Sequence, residues 1–138
     1  MSNAAAEPLE ALRSTLVTAP QCRYLDLRAE VIDGHVVVVL PANDRHVGDA
    51  ARGMLHGGVL AAFLEAAAWA VLDARPAHRD VSARSFTSSF VRPATVADTV
   101  AAVDVVRAGR RVAHVRVAAW QIDPGSVVAI GQGTFSLR

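Results

Sequence analysis

The run MLHGGVLAAFLEAAAWAVL, residues 54–72, contains one carboxylate, Glu65, and no Arg or Lys. From Gly57 it reads as a helix extending to about Ala74, ended by the proline at position 76. A helix that is apolar on every side belongs in the middle of a protein, so the rest of the chain must be arranged to cover it. Glu is almost never fully buried unless paired. Burial in apolar surroundings raises its pKa or demands a partner. Glu65 is therefore an energetic liability that calls for a reason.

The remaining segments supply the cover. With 138 residues, 52% of them apolar, the chain is long enough for one real core. Glu7 to Val17 places Leu9, Leu12 and Leu16 at helical spacing and predicts a short amphipathic helix. Tyr24 to Ile32 and His35 to Leu40 flank Asp33-Gly34, the signature of a tight hairpin. Pro41 to Gly53 is polar without a clear period and reads as a loop. After residue 80 the chain reads as strands: Val81 to Arg92, Val96 to Arg107, Arg111 to Ile122 and Val127 to Leu137. Pro93, Gly109 and Asp123-Pro124-Gly125 separate them, and such short connections imply antiparallel neighbours. The expected fold is α+β: an antiparallel sheet of about six strands wrapped around one long central helix, with a short N-terminal helix. Residues 1–20 read as a tail plus that short helix, and 21–138 as a single domain.

Composition excludes several kinds of chemistry. The formal charge is +1 and no basic block stands out, so a nucleic-acid partner is not expected. All fourteen basic residues are Arg. Lysine Schiff-base and P-loop chemistry therefore fall away, and guanidinium groups remain to meet an anion. The single Cys22 cannot form an internal disulfide, which fits a reducing compartment. Residues 1–20 lack a basic start followed by an apolar run, and the apolar runs are too short to span a bilayer. A cytoplasmic location without a membrane partner is expected. His35, His46, His78 and His114 show neither metal-ligand spacing nor H-E-x-x-H, so no metal is expected.

Four landmarks in order resemble one family. They are Gly53-x-x-His56-Gly57-Gly58 with an acid seven residues after the second glycine, SFVRPA (residues 89–94), RAGRRVAHVRV (107–117) and VVAIGQGTF (127–135). Together they resemble the hotdog-fold acyl-CoA thioesterases, and most closely the PaaI-like branch, over about residues 24–137. The resemblance implies a hotdog fold and hydrolysis of an acyl-CoA to a free acid and coenzyme A. No cofactor is implied beyond the coenzyme A of the substrate. It also implies roles: Glu65 attacks the thioester carbonyl or activates a water, the Gly57 backbone holds the thioester oxygen, and the His56 side chain shapes the turn. Elementary geometry agrees. Gly57 and Gly58 at a helix N-terminus leave N–H groups open to developing negative charge. Glu65 lies roughly 10–12 Å further along the helix. A reacting carbonyl needs its donors and its base each within about 3 Å, so one chain cannot easily supply both. Two antiparallel copies of the helix can, which favours a homodimer with two shared sites and leaves a tetramer open.

Candidate substrate-binding residues complete the reading. Gly58 adjoins the oxyanion donor, and Met54 and Trp69, with Leu55 and Phe63, are candidates for an apolar acyl channel or for core. Asp49 stands next to Ala50, where many relatives carry Asn or Gln; Ser82 stands next to Ala83, where relatives often carry Ser or Thr. Arg92, Arg110 and Arg111 suit the phosphates of coenzyme A. Two alternatives stay open. One is a hotdog dehydratase or hydratase of hydroxyacyl thioesters, whose acid stands nearer its glycine. The other is a non-catalytic acyl-CoA-binding dimer, which Ala50 and Ala83 keep alive.

Overall fold

A helix, α3, does occupy Gly57–Asp73, and the other elements pack around it. The computed structural model describes residues 3–76 and 80–138. Helix α1 (Asn3–Thr18) buries Leu9, Leu12 and Leu16 in the same apolar cluster as Phe63, Leu64 and Leu72 of α3. A short helix α2 (Pro20–Tyr24) follows. The hairpin β1 (Arg28–Ile32) and β2 (His35–Leu40) turns at Asp33 and Gly34, with φ of 50° and 78°. Positive φ at both positions gives a two-residue turn whose twist matches its strands. Strands β3 (Val47–Asp49) and β4 (Met54–Leu55) form a small ribbon just before α3. After α3 come β5 (Val81–Phe90), β6 (Thr99–Ala108), β7 (Val112–Trp120) and β8 (Ala129–Leu137).

The six-stranded sheet has the order β1-β2-β6-β7-β8-β5, with every neighbouring pair antiparallel. Its inner face lies on α3, contributing Val38, Ala101, Val115, Val117 and Phe135 to the core. This is the sheet wrapped around a helix that the pattern predicts.

Three expectations need correction. Tyr24 to Leu27 is not strand. Pro20 starts α2 at a position suited to Pro, and Asp26, with φ of 54°, turns the chain before β1 begins at Arg28. Pro41 to Gly53 is not wholly loop. It holds a 3₁₀ turn, Asp44–His46, capped by the Asn43 side chain, and the strand β3. Elements of three residues have too few positions to display a period. Finally, β5 and β6 are not neighbours despite their short connection. The chain crosses the end of the sheet, and β5 pairs with β8 at an edge.

The glycines of the closing strand have a packing reason. A Cβ on Gly131 would come within 2.7 Å of the Phe86 ring, and one on Gly133 within 2.6 Å of both that ring and the Ser85 carbonyl oxygen. The ring thus lies over β8 and meets Phe135 in an edge-to-face arrangement at a centroid separation of 6.3 Å. Cys22 is fully buried, and desolvation, aided by the Asp73 charge, raises its thiol pKa to about 11. Gly133→Ala forces the strand apart where backbone is the obstacle. We expect a loss of about 1–3 kcal/mol in urea unfolding, whereas Gln132→Ala on the exposed outer face should stay within about 0.5 kcal/mol.

Candidate active site

The N-terminus of α3 is held from both sides. His56 is its N-cap: Nδ1 accepts the Gly58 N–H at 2.9 Å, and the His56 carbonyl oxygen accepts from Val59 and Leu60. The His56 N–H donates to the His46 carbonyl oxygen at 2.8 Å. Behind it, Gly48 packs so closely that a Cβ would come within 2.7 Å of the His56 Cα. No hydrogen bond among the described residues reaches the Gly57 N–H, and Gly57 is exposed. It is an open donor at the positive end of a helix of 17 residues.

The connection between β5 and β6 clamps this turn. Leu55 N–H donates to the Ala94 carbonyl oxygen at 2.9 Å, Val96 N–H to that of Gly53 at 3.1 Å, and Met54 bridges Thr95. Arg92 donates from Nη1 to the Val127 carbonyl oxygen at 2.7 Å. Phe90 places its ring against Gly57, 3.6 Å from where a Cβ would stand, while remaining 57% exposed. The stretch SFVRPA thus acts as a brace for the helix N-terminus. It offers Phe90 as a wall beside the open donor, a role that sequence reasoning missed although the residue stood in the quoted landmark. Gly48 gave no signal at all, because its need for space arises from a residue eight positions away.

Glu65 is half-buried and, among the described residues, makes no hydrogen bond or ion pair. Gly58, Ala61, Ala62, Glu65 and Trp69 share one face of α3, the face left least covered in the single chain. That face runs beside β5. At its start Phe90 lies on Gly57; at its end Trp69 Nε1 donates to the Val81 carbonyl oxygen at 2.7 Å. Trp69 is therefore a tie between helix and strand.

The other candidates fall into two groups. His56, Gly57, Gly58, Met54, Asp49 and Arg92 gather at the Phe90 end of β5. Trp69 and Ser82, with Arg110 and Arg111 in the β6–β7 turn, sit at the Val81 end, where β8 finishes at Leu137. Asp49 accepts the Arg52 N–H at 3.2 Å and so shapes the β3–β4 turn, and Asn43 caps the 3₁₀ turn. Ala50 and Ala83 are exposed. Two grooves of the single chain lie away from Glu65. One of about 520 Å³ runs over the outer sheet face near Thr87, Asp104 and Arg116, and one of about 610 Å³ lies between α1 and the end of α3 near Leu12 and Val71. No cluster of three or more His, Cys, Asp or Glu suited to a metal occurs among the described residues, and His78 lies outside them.

A profile of the acyl-CoA thioesterase N-terminal domain matches residues 46–136, well over half of the chain. The chain belongs to this thioesterase family. Solved structures agree on the hotdog architecture. The PaaI protein of the Escherichia coli phenylacetic acid degradation operon superposes with a TM-score of 0.80 at 16% identity, covering 96% of this chain and 94% of that one. A Haemophilus influenzae thioesterase gives 0.78 at 17% identity, covering 94% and 90%. A variant of the phenylacetic acid degradation protein PaaI from Thermus thermophilus gives 0.69 at 27% identity, covering 85% and 97%. A comparison with curated protein sequences finds no match. No helix among the described residues is long and apolar enough to cross a membrane.

In this thioesterase-family domain the His56 ring has a defined task at the helix start. His56→Ala should cost about 1 kcal/mol of stability through the lost cap, and His56→Asn, which offers a side-chain acceptor, should restore most of it in thermal unfolding.

Proposed function

We propose that the protein hydrolyses acyl-CoA thioesters as a two-fold homodimer in the cytoplasm, each active site drawing on both copies. One observation carries this reading. The uncovered face of α3 that bears Glu65 lies along β5, a ten-residue edge strand with no Pro, while the open Gly57 N–H stands at the far end of that face. An unpaired edge of this length invites a partner strand. Antiparallel pairing of β5 with its copy reverses the helices, moving Gly57 of one chain toward the Glu65 face of the other. The same operation carries the Arg110–Arg111 turn of one copy to the Phe90 end of the other, reuniting candidates that a single chain keeps apart.

Chemistry follows from that juxtaposition. The thioester carbonyl oxygen accepts from the Gly57 N–H, where the helix dipole favours developing negative charge. The Glu65 carboxylate takes a proton from water as the water oxygen bonds to the carbonyl carbon. The tetrahedral intermediate then expels the coenzyme A sulfur as the C–S bond breaks, and the proton held on Glu65 passes to the thiolate. Direct attack by Glu65, through a mixed anhydride that water later cleaves, uses the same placement. Arg110 and Arg111 meet the phosphates of the nucleotide, for which guanidinium forks are suited.

Three predictions test this. Glu65→Gln and Gly57→Pro should each lower kcat in a thiol-release assay by about 10²–10³-fold. Proline is compatible with the first helical position and with the extended His56 before it (φ −64°, ψ 129°), so it deletes the donor while sparing the helix. Mixed dimers of the two variants hold one intact site. Refolding them together should restore about one quarter of wild-type activity, and no recovery means each site lies within one chain. Replacing Arg110 and Arg111 by Ala should raise KM for coenzyme A esters several-fold while leaving kcat unchanged. A thioester of N-acetylcysteamine, which has no phosphate, should be insensitive.

The exposed Ala50 and Ala83 favour a second reading, acyl-CoA binding without turnover. A dimer that binds coenzyme A esters yet releases no thiol from short, long or aromatic substrates would establish it.

A further inference from the structure

Three polar side chains are buried among the described residues: Thr15, His46 and Thr99. Thr15 donates to Asp73, and Thr99 donates to the Ala97 carbonyl oxygen and accepts from Gln121. His46 differs. It is 3% exposed, yet neither ring nitrogen has a hydrogen-bond partner among the described residues. A buried polar group without a partner is costly and calls for an explanation.

Its position offers one. His46 ends the 3₁₀ turn capped by Asn43, and its carbonyl oxygen holds the His56 N–H, the last residue before α3. Two residues on, Gly48 presses against the His56 backbone with no room for a side chain. The segment from His46 to Gly48 therefore seats the turn whose next N–H, on Gly57, stays open.

We propose that His46 is a positioning residue: its neutral, buried ring fixes the backbone that holds His56 and the open Gly57 donor, and its protonation releases that turn. The inference rests on the oxyanion role assigned to Gly57, but its structural half stands independently.

The charges around the ring agree in direction. Burial first, then Arg45 on the same turn, lower the His46 pKa, and Asp26 from the α2–β1 connection pulls it partly back. Arg45 stays close because its guanidinium donates to the Tyr24 carbonyl oxygen at 2.8 Å and lies over the Tyr24 ring. A folded-state pKa below the unfolded value of ~6.5 fixes the sign. The neutral ring supports the fold fully above ~6.5, and that support is lost as pH falls from there through the lowered value. Each unit between the two pKa values corresponds to about tenfold in the equilibrium that opens the turn.

Amide hydrogen exchange at Gly58, Val59 and Leu60, corrected for intrinsic rates, reads the turn directly. Between pH 7.5 and 5.5 the wild-type protein should lose protection there, by up to about tenfold, because pH 5.5 lies one unit below the ordinary value of ~6.5. His46→Leu, which cannot titrate, should keep its protection over the same range. Thiol release by the wild type should fall reversibly over the same range, and less in the variant. His56→Asn controls for titration of the cap itself and should retain the acid loss. The proposal is overturned if His46→Leu shows the same acid loss, or if His56→Asn abolishes it. Nitrogen-15 spectra of the unmutated protein decide the matter even if His46→Leu does not fold: a His46 ring titrating near ~6.5 with those amides undisturbed also refutes it. If no thioester is hydrolysed, the amide readings still judge His46, so failure of the catalytic reading is seen separately.

Discussion

Burying α3 is the constraint on which the other features depend. Its side chains are apolar almost all round, so no surface position suits it. A single six-stranded sheet, with α1 laid across one side, covers most of the helix but leaves the stripe from Gly58 to Trp69 thinly protected. That stripe borders the sheet at β5, whose outer edge is also unpaired among the described residues of one chain. Two liabilities, an incompletely covered helix and an open strand, thus lie side by side. The proposed symmetric partner would cover both.

This placement changes how Glu65 is understood. A carboxylate deep in one core would need an Arg or several backbone donors to stay charged. Here it has none among the described residues and sits half-buried on the uncovered face. The open Gly57 donor is held by local ties independent of Glu65: the His56 cap, the His46 carbonyl and the Phe90 ring. In the proposed mechanism, separating base from oxyanion donor along a rigid helix makes each easy to hold, and leaves their meeting to the proposed dimer.

The short segments around the helix start show how modest interactions build a precise turn. The β3–β4 ribbon has few residues, and by itself it would be marginal. It is held because Ala94 and Gly53 supply carbonyl acceptors to the backbone on either side, while Gln121 bonds the Thr95 backbone and hydroxyl. At the other edge, Asp98 accepts the Ala42 N–H and pairs with Arg28; the backbone bond first and the guanidinium second hold its carboxyl below the usual range. These ties anchor the connection that crosses the sheet.

By itself the sequence determined the helix from Gly57, the Asp33-Gly34 turn, the four long strands to within three residues, and the core face of α1. Each of these spans enough residues for a hydrophobic period to appear, or turns on a dipeptide with one strong conformational preference. Only the tertiary structure decided that β5 leaves its sequence neighbour for β8, that Trp69 ties α3 to Val81, and that Arg92 stands at the opposite end of the sheet from Arg110 and Arg111. It alone revealed His46 as a buried ring without hydrogen-bond partners among the described residues and Gly48 as a spacer. Such facts depend on which distant groups meet, and a linear pattern carries no record of contacts made across the fold.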